Sequence, residues 1–168
     1  MNNTIPEHFK PIAGFNKSTC FGCGPENPAG LRLKFYTDGN KVITSTAVPR
    51  HYCGWQNVVH GGILSTMLDE IMGWTAITVL RKVVLTKSMT VDFVKPIFAD
   101  QEILVQAKLG DPGNGNYAEL LGSIYNRDNR LCAESRGRFR IFSLEEAENL
   151  GFLYPDTLKE LWARFGEV

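Results

Sequence analysis

Two features of the 168-residue sequence have residue types and spacing that suit carbonyl chemistry: the tripeptide His60-Gly61-Gly62, and Asp69, nine positions after His60. A carboxylate drawn away from water loses solvation and becomes a candidate general base or nucleophile. Two glycines at the start of a helix leave its first N–H groups uncovered. Those amides have no intrahelical partner, and with the helix dipole they suit an oxyanion. Each feature also has a plainer reading. Asp69 could point to solvent beside Glu70, and the glycines could serve chain geometry alone with His60 as a cap.

Other groups carry two readings as well. Cys20-x-x-Cys23 has the spacing of half a zinc site. A structural site usually takes four ligands, Cys53 and Cys132 form no second pair, and His51 and His60 lack the spacing. No metal is expected, and no cofactor. Arg136, Arg138 and Arg140 alternate along one strand, with Gly137, Phe139 and Ile141 on the other face. They read as a solvated sheet face or as a phosphate-binding patch, since guanidinium matches phosphate geometry; Arg81, Lys82 and Lys87 are weaker candidates. Trp55, Met72 and Trp74 could line an apolar pocket or fill a core. Gly113-x-Gly115 is a hairpin and no Walker-type sequence occurs, which argues against ATP use.

Composition narrows the classes further. Eighteen basic and eighteen acidic side chains give zero net charge, which argues against a nucleic-acid binder. The N-terminus lacks the basic start and apolar run of a secretory signal. The most apolar region, Met72 to Leu85, is interrupted by Arg81 and Lys82, so no membrane span is expected. The four cysteines then read as free thiols in a reducing compartment, and a cytoplasmic protein is expected.

These residues need elements to position them. From Gly62 to about Leu80 the apolar residues recur at three- and four-residue steps (Ile63, Leu64, Met67, Leu68, Ile71, Trp74), the pattern of a long helix ending at Arg81-Lys82. Asp69 falls on the opposite face with Gly62, Ser65, Gly73 and Ala76, a face of small residues that permits close approach of a backbone or a ligand. Strands are expected at Leu31–Thr37 and Lys41–Val48 before the helix, and at Val83–Val94, Glu102–Leu109, Tyr117–Asn126 and Leu131–Phe142 after it. Residues 1–19 read as an irregular arm, 20–143 as the domain, and 144–168 as a helical tail. One apolar helix among six strands implies an α+β fold in which an antiparallel sheet wraps the helix. Nine helical residues rise about 13–14 Å. Asp69 and its own Gly61 amide therefore cannot meet on one carbonyl, and a homodimer with two composite sites, most simply of C2 symmetry, is inferred.

CFGCGPENPAGL, HGGILSTMLDE and TKSMTVDFVKP together resemble the hotdog-fold acyl-CoA thioesterases of the PaaI and THEM-like (4HBT) group, over about Cys20 to Phe142. That resemblance implies a helix wrapped by sheet, edge-to-edge dimers and sometimes a dimer of dimers. It aligns Asp69 with the catalytic carboxylate, the Gly61 N–H with the donor that polarises the thioester carbonyl, His60 with the HGG histidine, and Thr86 with a hydroxyl that orients water. Gly62 and Asn57 join the expected substrate-binding set with the three arginines. Several members carry Asn or Gln six residues before the HGG histidine; here that residue is Gly54, with Gln56 and Asn57 nearby. The function expected is thioester hydrolysis, with coenzyme A as part of the substrate. The alternative is a non-catalytic acyl-CoA-binding or regulatory module.

Overall fold

The computed structural model describes residues 5–113 and 115–165. The ends of the expected arm and tail, and Asn114 of the Gly113-x-Gly115 hairpin, lie outside them. The chain order is β1 (Lys10–Pro11), β2 (Tyr36–Thr37), β3 (Lys41–Ala47), β4 (Cys53–Trp55), β5 (Val58–Val59), α1 (Gly61–Thr75), β6 (Val83–Phe93), β7 (Glu102–Leu109), β8 (Tyr117–Asn126), β9 (Leu131–Phe142), α2 (Leu144–Leu150) and α3 (Pro155–Phe165). Seven strands form one sheet in the order β1-β2-β3-β7-β8-β9-β6, every pairing antiparallel. It curves around α1, which packs against β3, β6, β7, β8 and β9. This is the hotdog architecture, an α+β fold.

Helix α1 begins where the residue pattern says it should. His60 has extended backbone and caps it, its Nδ1 accepting from the Gly62 N–H at 2.9 Å. Leu64, Met67, Leu68, Ile71 and Trp74 are buried against the sheet. Past Thr75 the helix loosens into a π turn over Ala76–Leu80, and Arg81 in left-handed backbone ends it. By length and composition alone Gly61–Leu80 is long enough to cross a bilayer; its apolarity is explained by the sheet around it. Gly122 and Gly137 on the concave face of β8 and β9 let the helix in, because a Cβ at either would press on Leu68 or Met72 at about 3.0 Å.

One expectation needs correction. The strand read over Leu31–Thr37 is only Tyr36–Thr37 in the sheet. Leu33 and Phe35 are buried as the alternation requires, but Arg32 has left-handed backbone (φ 51°) and breaks the ladder. The Leu31 and Leu33 amides donate instead to the carbonyls of Phe21 and Gly22, tying this segment to the CFGCG loop. Of the small residues on the other side of the helix, Ala76, just past its end, is fully buried in the main core.

The tail packs on one end of the sheet. Ser143 and Glu146 form a capping box that starts α2, and Leu144, Ala147 and Leu161 share a second core with Val83 and Phe142. Arg164 donates to the Gly14 carbonyl at 3.0 Å and lies over the rings of Phe15 and Trp74. N-terminal arm and C-terminal tail thus close over the same side of α1.

Candidate active site

Asp69 projects from the middle of α1 toward β6. The Thr86 hydroxyl donates to Asp69 Oδ1 at 2.6 Å, a short charge-assisted bond that fixes the carboxylate and leaves its second oxygen for another donor. Thr86 is aimed there by an irregularity in the ladder: Thr86 pairs with Phe139 and Ser88 with Arg138, so Lys87 is an extra residue in β6. Such bulges re-aim side chains beside active sites. Asp69 and Thr86 open onto a cleft of about 540 Å³ that Gly73, Trp74, Ile77, Val84 and Phe139 line with apolar atoms. Phe15 of the arm and Phe152 and Leu153 of the tail close its far side.

Gly61 lies in a different cleft of about 480 Å³, with His60, Trp55, Leu64 and Phe93. Its N–H has no acceptor among the described residues, as an oxyanion donor requires. The two clefts share no lining residue. Each adjoins one end of β6: Gly61 packs near the Phe93 ring at one end, and Asp69 bonds Thr86 near the other. Strand β6 pairs with β9 on one side and forms the edge of the sheet on the other.

The remaining predicted residues distribute as follows. The Gly62 N–H, expected to face substrate, is taken by the His60 cap. His60 therefore positions the helix start, with Nδ1 unprotonated as the acceptor. Asn57 sits in the exposed turn between β4 and β5 and lines neither cleft; its backbone carbonyl accepts from Ala99. Gly54 has a physical reason to be glycine, since a Cβ there would press on the His60 ring at 3.1 Å. Arg136, Arg138 and Arg140 lie on the outer face of the sheet and line neither cleft. Arg136 pairs with Glu119 at 3.1 Å across β8. Arg138 and Arg140 join Lys87 around the Tyr117 ring. Met72 is a core residue, Trp74 is buried but also lines the Asp69 cleft, and Trp55, 83% exposed, lines the Gly61 cleft.

One group in the Asp69 cleft went unread in the sequence. Glu70 reaches back to the CFGCG loop, where Cys20 Sγ lies 3.3 and 3.6 Å from its carboxylate oxygens. Burial pushes the Glu70 carboxyl up to about 7. A hydrogen bond with the Cys23 side chain, helped by the backbone amides of Cys23 and Gly22, holds the Cys20 thiol down at about 5. The Cys23 thiol is raised, through its bond to Cys20 and by burial.

Residues 56–133 match the family model of the thioesterase superfamily (4HBT). A search of curated protein sequences finds no significant match. Among solved structures, a thioesterase superfamily protein superposes with a TM-score of 0.67 at 22% identity, over 73% of this chain and 60% of that one, so the chain spans less than two thirds of that relative's length. The E. coli PaaI protein from the phenylacetic acid degradation operon gives a TM-score of 0.61 at 17% identity, over 67% of this chain and 81% of its own. A hypothetical thioesterase from Streptococcus pneumoniae TIGR4, crystallised with coenzyme A, gives 0.59 at 17% identity, over 62% of this chain and 80% of its own. The sheet-wrapped helix thus has the hotdog fold of these structures, and residues 56–133 are similar to the thioesterase superfamily.

Proposed function

We propose that the protein hydrolyses acyl-CoA thioesters at composite sites between two copies of the chain. The observation that carries this is the Asp69–Thr86 pair opening on an apolar cleft at the free edge of the sheet, with the uncommitted Gly61 amide farther along that same edge. An antiparallel pairing of β6 with β6 of a second copy brings the Thr86 end of one strand toward the Phe93 end of the other. Asp69 of one copy then faces Gly61 of its mate.

In the step written for this site, Asp69 takes a proton from water as the water oxygen bonds to the thioester carbon. The carbonyl oxygen becomes an oxyanion held by the mate's Gly61 N–H. The C–S bond breaks, CoA leaves as thiolate, and the proton on Asp69 passes to that thiolate or to solvent. Direct attack by Asp69, giving a mixed anhydride that water then opens, uses the same groups. The apolar lining from Phe15, Ile77, Val84 and Leu153 suits the acyl group. Lys87, Arg138 and Arg140 on the outer face beside the bulge suit the CoA phosphates. Neither step requires a cofactor.

Thiol release over a panel of acyl-CoAs is the test. Wild-type protein should release free CoA, and Asp69→Asn should lower kcat at least ~10²-fold with unchanged circular dichroism. Acyl-CoA binding without thiol release by the wild type would instead establish a non-catalytic binding module.

A further inference from the structure

Cys20, Cys23 and Glu70 each bring one ligand atom into a group whose members all lie within 4.8 Å of one another. We infer that this is a binding site for a borderline-soft divalent cation, Zn²⁺ first, with two thiolates and one carboxylate as protein ligands and a fourth position open to the cleft. The inference stands independently of the hydrolase reading and departs from the sequence-based expectation of no metal.

The geometry fits the ion. With Zn–S near 2.3 Å and Zn–O near 2.0–2.2 Å, adjacent ligand atoms of a tetrahedral site are separated by about 3.5–3.8 Å. Cys20 Sγ lies 3.3 and 3.6 Å from the two Glu70 oxygens. Two thiolates with an oxygen donor favour Zn²⁺ over a hard cation such as Mg²⁺. Three protein ligands plus an open position is the arrangement of a site that exchanges its fourth ligand.

The loop is built to hold that sulfur pair. The backbone amides of Gly22 and Cys23 favour the Cys20 thiolate, and the Gly24 N–H donates to the Cys20 carbonyl at 2.9 Å. Gly24 is dictated by this fold, since a Cβ there would overlap the backbone of Ser18 and Cys20, and Gly22 lets the Glu70 carboxylate lie directly on the loop. Phe21 and Gly22 carbonyls anchor the loop to the extended segment beside it. Electrostatics ask for a cation. Glu70 is half-buried and has no ion pair to Lys, Arg or His among the described residues. Its polar neighbours are two thiols, and Asp69 adds a further negative charge. A buried carboxylate is costly unless it is paired or bound to metal.

The experiment uses the full chain, purified under reducing conditions without chelator. Metal content is read by plasma mass spectrometry, and affinity by Zn²⁺ competition against a chromophoric chelator. Co²⁺ replacement is followed by absorbance. Expected are about one ion per chain, thiolate-to-cobalt charge-transfer bands, and intense tetrahedral d–d bands that Zn²⁺ displaces. Cys20→Ser and Cys23→Ser should abolish binding. Glu70→Gln should weaken it by roughly tenfold or more, since loss of even an outer-shell partner costs 10–100-fold. Cys53→Ser, outside the cluster, should leave it unchanged. The Co²⁺ spectrum of the wild type keeps the test decisive if a variant fails to fold. Metal-free wild-type protein with no charge-transfer band on Co²⁺ addition, a Cys20–Cys23 disulfide under the same reducing conditions, or metal retained in the Cys20→Ser/Cys23→Ser double variant would overturn the assignment.

Discussion

Thr86→Ala removes one hydrogen bond, the 2.6 Å contact to Asp69, and little else, because Thr86 is exposed on an edge strand. A hydrogen bond to a charged group is worth about 1.5–3 kcal/mol, so kcat for thiol release should fall roughly 10- to 100-fold. Thr86→Ser, which keeps the hydroxyl, should restore most of it. Equal activity in Ala and Ser variants would show that Thr86 does not orient the carboxylate. Asp69 and His60-Gly61 were legible in the sequence because helical periodicity places them on known sides of one element. The resemblance aligned Thr86 only with a water-orienting hydroxyl; its contact with Asp69 depends on a ladder irregularity at Lys87 that no local pattern announces. The use of the Gly62 amide could not be read, because the cap that takes it comes from a side chain two residues away. Glu70 was passed over because its partner Cys20 lies 50 positions upstream, beyond the reach of any periodicity argument.

Among the elements, the helix and the strands after it followed their residue patterns, while the segment before them did not. Alternation correctly predicts burial of Leu33 and Phe35, but burial and ladder pairing are separate matters. Here the backbone partners are the CFGCG carbonyls. The close fit of α1 to the sheet makes Gly122 sensitive: Gly122→Ala drives a methyl onto Leu68 and Met72 and should destabilise the fold by about 1–3 kcal/mol in denaturant unfolding. An unchanged midpoint would mean the helix can retreat. Strand β9 supplies a second test. Arg136 is neutralised by Glu119, whereas Arg138 and Arg140 share the Tyr117 ring with Lys87. Arg138→Ala/Arg140→Ala should raise KM for acyl-CoA several-fold with kcat nearly unchanged, and Arg136→Ala should leave both near wild type. Equal, small effects in all three would make the stripe a solvated sheet face.

For the whole molecule the decisive question is whether two chains complete each other's sites. Strand β6 is an 11-residue edge, with Leu85 47% and Phe93 54% exposed along it. A long edge of this kind is a template for pairing with another strand. Gly61→Pro deletes the candidate oxyanion N–H, at the cost of a small shift of the Phe93 ring, which a Cβ there would meet at 3.2 Å. Proline is favoured at the first helical position, and His60 already has the extended backbone (φ −62°, ψ 134°) that a following proline demands. Alone, Gly61→Pro and Asp69→Asn should each be nearly inactive. Mixed in equal amounts through partial unfolding and refolding, half of the dimers carry one variant of each kind. Each of these mixed dimers has one site with both groups intact and one with neither, so about a quarter of wild-type activity should return. If Asp69 worked with the amide of its own chain, every site in the mixture would lack one group and no activity would return.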